Sequence, residues 1–486
     1  MTATLLTGAS SAEAEWKSID WDSIEAEVRR LQIRIAKATR ERRYGKVKSL
    51  QWLLTHSHSA KLLAVRKVVT NAGRKTPGVD KVLWRSAKSK LGALEQLHRR
   101  GYHSEPLRRI YIPKSNGKMR PLGIPTMRDR AMQALHLLAL EPVSETLADK
   151  NSYGFRPKRS CHDAIGQCFL ALARSNSAQW ILEGDIKGCF DNISHEWLLK
   201  NAPTDTTVLK QWLKSGYVEE STIHETKAGT PQGGIISPVL ANLTLDGLEA
   251  VVKAATAKTD KINFVRYADD FIVTGASKEI LEEKIKPVVE SFLKERGLEL
   301  SAEKTHVVHI EQGFDFLGFN VRKYKGKMLI KPSKKAVKEF LSGLRALLKR
   351  RMPWKIDKLI WILNAKLKGW CMYHRHVVSK AVFSHVDCQL YSAVVRWIRG
   401  RHPNKNVDWL KKKYFRSKGG RNYVFSTKVI NSEGNLLHFD LYQANQTPIM
   451  RHIKIRAEAN PYDPEYFEYF TQREKLGRLR SGLRKA

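Results

Sequence analysis

The chain has 486 residues and a hydrophobic share of 42%, enough for about two to four domains with cores of their own. Lys and Arg number 86 against 48 Asp and Glu, a formal charge of +38, which excludes an acidic partner-free scaffold and points to a polyanion, most simply nucleic acid. The cysteines Cys161, Cys168, Cys189, Cys371 and Cys388 form no C-x-x-C pair and have no companion histidines at zinc spacing, and no run approaches the ~20 apolar residues of a bilayer span, so a disulfide framework, a zinc module and a membrane partner are not expected.

Residues 1–15 are small and polar, are expected to be mobile, and lack the basic start and apolar core of a secretory signal. A helix is expected from Asp22, with Asp22 as cap, Glu25 three residues on, and Ile24, Val28, Leu31 and Ile35 at helical spacing. Its other face carries Arg29, Arg30, Arg34, Lys37 and Arg40, which reads either as a solvated surface or as an RNA contact. A second helix is expected over residues 46–69, with Leu50, Leu53 and Leu54 inward and Lys61, Arg66 and Lys67 outward. Residues 105–325 mix short strands with helices, and residues 126–148 read as a long buried helix with Met132, Leu135, Leu138 and Ala139 on one face.

The strand-like run Trp180-Ile181-Leu182-Glu183-Gly184 ends at Asp185. Two further apolar runs, 262–265 and 271–273, flank Tyr267-Ala268-Asp269-Asp270, which puts adjacent carboxylates at the tip of a tight β-hairpin. If Asp185 approaches that tip, three carboxylates crowd a dry site, an arrangement that repels itself until divalent cations sit between the charges. Such a site suits metal-assisted displacement at phosphorus. Taken alone, the string also describes an acidic surface turn.

Beyond Lys331 the pattern is almost wholly helical: Ala336, Phe340, Leu344 and Leu347, then Ile356, Leu359, Leu363 and Leu367, then Phe383, Val386, Leu390, Val394 and Trp397. The polar faces hold Lys334, Lys335, Lys338, Arg345, Lys349, Arg350 and Arg351 beside Trp361, Trp370, Tyr373 and Trp397. A Gly/Arg-rich loop at 416–422 then introduces a smaller unit, in which His452-Ile453-Lys454-Ile455-Arg456 resembles a basic strand and Asp463-Pro464 opens a helix before a basic tail at 473–485.

Motifs give these elements a common meaning. Gly184-Asp185-Ile186-Lys187-Gly188-Cys189-Phe190-Asp191-Asn192-Ile193 resembles the first catalytic motif of reverse transcriptases, and Gly229-Thr230-Pro231-Gln232-Gly233-Gly234 resembles their substrate-binding motif, in the family's order. Residues 112–125 and Ser152-Tyr153-Gly154-Phe155-Arg156-Pro157 resemble the fingers motifs; Leu300-Ser301-Ala302-Glu303-Lys304-Thr305 and Phe314-Asp315-Phe316-Leu317-Gly318-Phe319 resemble the last palm motifs. Residues 71–80 and the stretch from Leu363-Asn364 through Gly369-Trp370 to Tyr373 are similar to bacterial group II intron reverse transcriptases and their maturase domain X.

The resemblance implies an α+β right-hand polymerase with fingers and palm, an all-helical thumb and a small DNA-binding domain. The expected division is 1–65 N-terminal extension, 66–329 fingers and palm, 330–420 thumb, and 421–486 DNA-binding domain and tail. Asp185, Asp269 and Asp270, with the Ile186 carbonyl, would hold two Mg²⁺ ions; Lys114, Arg120, Gln232 and Gly233 would meet the deoxynucleoside triphosphate; Phe190, five residues after Asp185, would exclude a ribose 2′-hydroxyl; and Lys304 would be a general acid toward pyrophosphate. Lys334, Lys338, Arg345, Lys349, Arg350 and Arg351 would bind RNA. Implied partners are the group II intron RNA, target DNA and a primer–template duplex, in a bacterial cytoplasmic, nucleoid-associated setting. The end at Ala486, without paired cysteines and clustered histidines of a nuclease, implies that second-strand cleavage is left to another agent. Competing readings are a splicing-only maturase, which the intact acidic set disfavours, a reverse transcriptase recruited to another bacterial system, and an RNA-dependent RNA polymerase, which Phe190 and Tyr267-Ala268 disfavour.

Overall fold

A computed structural model of the chain describes residues 11–113, 117, 119–350, 352–430 and 432–481. Residues 1–10 of the segment expected to be mobile lie outside it, whereas Ser11–Ser18 is a helix. The next helix, Trp21–Arg40, is capped by Asp20 and not by Asp22: the Asp20 carboxylate accepts from the amides of Asp22 and Ser23, both at 3.2 Å. Asp22 instead lies in the first turn, where an anion suits the exposed N–H groups. The single helix expected over 46–69 is two, Tyr44–His56 and His58–Thr70. Ser57 breaks it by taking an extended conformation and accepting from the Ala60 amide at 3.2 Å. Leu50 and Leu54 are buried, but Leu53 is exposed.

The basic face of Trp21–Arg40 is partly spoken for. Arg29 lies over the rings of Tyr462 and Phe467, at 5.0 and 5.1 Å, and donates to the Pro461 carbonyl, while Arg40 pairs with Asp463 at 2.5 Å. At Arg29 the face meets the C-terminal segment and is partly withdrawn from solvent, whereas Arg40 stays exposed beside its partner. On its apolar side the helix packs with His58–Thr70 against Met127–Leu147, a helix capped by Thr126 and buried on most sides, as its lack of amphipathic patterning requires.

Two four-stranded sheets follow. Leu107–Pro113 pairs antiparallel with Met119–Ile124, and Tyr217–Glu219 and Thr222–His224 extend that sheet. The second sheet has the order Asn263–Tyr267, Asp270–Gly275, Trp180–Asp185, His306–His309, all antiparallel. Alternate residues of its first three strands serve different cores: Ile181, Val265 and Ile272 face the helix Cys161–Leu172, while Leu182, Phe264, Phe271 and Val273 join the core beneath the N-terminal helices. A sheet covered on both faces reads as unbroken apolar runs, which is how 262–265 and 271–273 appear.

The helices Lys334–Arg350, Ile356–His374 and Lys380–Arg401 enclose a third core. On the first of them the buried stripe is Leu341, Leu344 and Leu348; Phe340 and Leu347 flank it, and Phe340 stacks on Trp370 at 4.7 Å. The region 416–422 is not a loop but the hairpin of Phe415–Lys418 with Arg421–Ile430, turned at Gly419 and Gly420 where φ is +54° and +74°. Leu436–Asp440 completes this sheet, and Phe425 enters the helical core. The expected divisions at 65/66, 329/330 and 420/421 therefore fall within the helix His58–Thr70, within the strand Lys327–Pro332 and at the hairpin turn. Residues 452–456 are extended but join no sheet; Ile455 is buried and its amide donates to Asp163 at 2.7 Å. Asp463-Pro464 opens not the helix itself but a short turn, Pro464–Tyr466, capped by Asp463, and the helix Phe467–Ser481 follows it. No described helix is long and apolar enough to cross a membrane.

Candidate active site at the carboxylate hairpin

Tyr267 pairs with Asp270, leaving Ala268 and Asp269 as the turn, with Ala268 in the left-handed region at φ +57°. A non-glycine residue there needs support from around it. Arg266, wholly buried, supplies it: its guanidinium pairs with Asp246 at 2.5 Å and donates to Asn242 Oδ1 at 3.2 Å and to the Ala268 carbonyl at 3.4 Å. Burial pushes the Asp246 carboxyl up to about 6 against the pull of Arg266. The Tyr153 amide donates to the Arg266 carbonyl at 2.9 Å, and a Cβ at Gly154 would lie 2.3 Å from the Ala268 nitrogen, so the 152–157 motif is a close backstop to the turn. Arg156 of that motif is buried against Glu145, at 2.7 and 2.9 Å.

Asp185 sits directly opposite Asp270 in the ladder, and Gly184 permits this approach because a Cβ there would fall 2.2 Å from the Phe271 ring. Asp185 and Asp270 thus face each other, with Asp269 next to them at the turn. Burial, then the charges of Asp269 and Asp185, pushes Asp270 up to about 7; burial and Asp185 raise Asp269, with Lys304 and Arg120 opposing. Lys304 Nζ donates to Asp185 Oδ2 at 2.7 Å, a bond that raises the lysine. Ile186 follows with its side chain buried. The donor set is hard oxygen in a crowded, partly desolvated pocket, which fits divalent cations of the Mg²⁺ type.

Beside it, Phe190 lies on the single turn Cys189–Asn192. The Thr230 amide donates to the Phe190 carbonyl at 2.7 Å, Gly229 to Ile193 at 2.8 Å, and the Gly123 amide to the Gln232 carbonyl at 2.9 Å, so the Gly229-to-Gly234 motif ties Phe190 to the strand Met119–Ile124. Gln232 Nε2 reaches Asp191 at 3.1 and 3.2 Å. Gly233 has φ +118°, and a Cβ there would press within 2.8 Å of the Gly123 carbonyl. Arg120 is exposed on the strand paired with Ile112; Lys114 lies outside the described residues. Sequence reasoning missed Phe155, whose ring stands 6.1 Å from that of Phe190, and Arg266, a cation inside an apolar run. Phe155 sits within the 152–157 motif, and a charge among the apolar residues of a strand is itself a signal.

Lys334, Lys338, Arg345, Lys349 and Arg350 are exposed along the helix Lys334–Arg350, and Arg351 lies outside the described residues. Of the four aromatics expected beside them only Trp361 is strongly exposed; Trp397 is buried, Trp370 stacks on Phe340, and Tyr373 stacks on Phe319 at 5.2 Å.

Three family models match the chain: the N-terminal domain of reverse transcriptase over residues 16–97, reverse transcriptase (RNA-dependent DNA polymerase) over 112–321, and the group II intron maturase-specific domain over 337–415. Protein YkfC of Escherichia coli is 33% identical over 344 residues, covering 60% of this chain and 88% of that protein. The group II intron-encoded protein LtrA of Lactococcus lactis is 32% identical over 413 residues, covering 69% and 67%. A telomerase structure from Candida albicans aligns over 64% of each chain at 13% identity and a TM-score of 0.35, a loose likeness.

Proposed function

The chain belongs to the group II intron-encoded reverse transcriptases and maturases, an RNA-directed DNA polymerase family with a splicing role and a need for divalent metal, and from that premise we propose how its own residues divide the work. The observation that carries the reading is the ladder register that sets Asp185 against Asp270, with Asp269 at the turn beside them. In this reading Asp185, Asp269 and Asp270, with the Ile186 carbonyl, hold two Mg²⁺ ions. When bound, these ions would lower the barrier to attack by a primer 3′-hydroxyl and to departure of pyrophosphate.

The protein groups orient and exclude. Arg120 and Lys114 take the triphosphate, Gln232 and Gly233 form the floor under the incoming nucleotide, and Phe190, backed by Phe155, closes the space of a ribose 2′-hydroxyl. Lys304, which reaches Asp185 at 2.7 Å, is the proton donor to pyrophosphate. Intron RNA lies along the cations Lys334, Lys338, Arg345, Lys349, Arg350 and Arg351, held mainly through phosphates. The C-terminal segment serves target DNA. With primer–template and deoxynucleoside triphosphates, this gives a protein that assists splicing of its intron and copies it into DNA during retrohoming.

The test is primer extension beside filter binding. Asp185→Ala and Asp269→Ala should each lower extension by at least ~1000-fold, about 4 kcal/mol of barrier, while RNA affinity stays within a factor of about two because it comes from cations elsewhere. Extension at the parent rate by either variant refutes the site.

A further inference from the structure

Away from the carboxylates, three histidines from distant stretches of chain meet. His162 lies in the first turn of Cys161–Leu172, His376 just beyond Ile356–His374, and His452 in the extended C-terminal segment. One ring nitrogen from each lies within 4.8 Å of the other two. The ring centroids are 4.5 Å apart for His162 and His376, 5.5 Å for His162 and His452, and 5.6 Å for His376 and His452.

Each ring spends its other hydrogen-bonding capacity on an oxygen. His162 Nε2 meets the Tyr373 carbonyl at 2.7 Å, His376 Nδ1 the Met450 carbonyl at 2.7 Å, and His452 Nε2 the carboxylate of Asp163 at 2.9 Å. Carbonyls and carboxylates only accept, so the bonded nitrogens carry the protons and each neutral ring keeps a lone pair on its second nitrogen. Asp163 is itself buried and held by Arg473 at 2.8 Å and by the Ile455 amide at 2.7 Å, which also balances the arginine charge nearest the cluster. Imidazoles anchored through one nitrogen to carbonyl or carboxylate oxygens are those whose other nitrogen binds metal, because the outer bond sets tautomer and ring orientation and raises basicity.

Ordinary ring packing explains the edge contacts but not three separate oxygen anchors on three half-buried rings. Cys161 Sγ stands 3.7 Å from His162 Nδ1, a soft donor at the rim. A cavity of about 480 Å³ lined by all three histidines, with Ile165, Phe169 and Ile330 among its walls, provides an entry path.

We propose that His162, His376 and His452 form a Zn²⁺ site that staples the C-terminal segment to Cys161–Leu172 and to the end of Ile356–His374. Three imidazoles suit a borderline ion and give a hard ion such as Mg²⁺ no oxygen to hold, so this site and the carboxylate site select different metals. A tetrahedral ion at ~2.0–2.1 Å from each nitrogen requires them about 3.4 Å apart, so binding draws the rings together by roughly an ångström, with water or Cys161 in the fourth position. None of this is visible as spacing, because each ligand comes from a different part of the chain.

The untagged full chain, stripped with a chelator and kept in millimolar Mg²⁺ to occupy the carboxylates, is titrated with Zn²⁺ in competition with a chromophoric chelator. One Zn²⁺ per chain is expected at submicromolar affinity, with a melting temperature raised on the order of 5 °C at a ~100-fold excess over Kd. His376→Gln and His452→Gln should each weaken binding by more than ~10-fold and abolish the Zn²⁺-dependent rise, while melting like the stripped parent in chelator. Co²⁺ in place of Zn²⁺ should give the intense visible bands of a tetrahedral site in the parent, a readout that stands even if a variant fails to fold. A parent that binds no Zn²⁺ tightly and shows no such bands, or variants that bind as tightly as the parent, would overturn the proposal.

Discussion

The carboxylate hairpin and the outer face of Lys334–Arg350 are both charged, yet they are built on opposite plans. At the hairpin charges are placed by one another: Arg266 on Asp246, Lys304 on Asp185, with Gly154 and Gly184 cut away so that backbone and ring can close in. Along Lys334–Arg350 stand six exposed cations, Lys334, Lys335, Lys338, Arg345, Lys349 and Arg350, and among the described residues only Arg345 of these bonds a neighbour, Gln389 at 2.7 Å. Chemistry needs atoms held to within a fraction of an ångström, whereas phosphate affinity needs charge density and little else. One region should therefore break at a single residue, and the other only by many.

The sharpest test of that contrast is Arg266→Met. It leaves Asp246 buried without its partner and the Ala268 turn without its prop, and breaking a buried pair in this way costs about 3–5 kcal/mol. Denaturant unfolding should show that loss, and extension by whatever protein remains folded should fall further than the folded fraction does. Retained stability and rate would mean that the turn holds itself.

A smaller effect is expected at Phe190→Val, which removes the ring but not the backbone that Thr230 bonds. Incorporation of ribonucleotides relative to deoxynucleotides should rise about 10- to 100-fold, or ~1–3 kcal/mol of discrimination, with stability little changed. Unaltered sugar selectivity in steady-state incorporation would make Phe190 a packing residue alone.

On the other side, reversing any one of Lys334, Lys338, Arg345, Lys349 or Arg350 should do little, while reversing all five should flatten the plot of log affinity for intron RNA against log salt by several units, roughly 0.7–0.9 for each phosphate left unneutralised. Binding isotherms across a salt series measure it. A single reversal that removes most of the affinity would place this face with the hairpin, as a built site.

The mildest effect concerns the sheet beside these helices. Burial would raise the Asp440 carboxyl, but bonds from Arg416 at 2.7 and 2.5 Å and Lys418 at 2.9 Å hold it well below the usual range. A depressed carboxyl stabilises the fold above its unfolded value near ~3.9 and loses that contribution as pH falls through the folded value. Asp440→Asn should thus melt below the parent at pH 7, and the two curves should converge in strong acid. A gap that persists there would assign the effect to shape.

The sequence by itself determined the carboxylate hairpin, its neighbours in the motifs and the helical bundle beyond Lys331, and pointed to a polyanion partner, because each is written in local pattern: apolar runs, two-residue turns, helical periods and net charge. It could not supply what depends on distant chain meeting. The split at Ser57 turned on one hydroxyl capping in place of a continuing helix, and 416–422 became a hairpin because its partner strand finds Phe425 a place in the helical core. Arg29 and Arg40 looked free until the C-terminal segment supplied partners for both. Arg266 looked like an interruption of a strand until Asp246 lay beneath it, and the three histidines showed no spacing because their convergence is made by a helix, a helix end and an extended segment that only the packed fold brings together. Burial and pairing are properties of the assembled interior, and a linear pattern records them only where both partners are near neighbours in the chain.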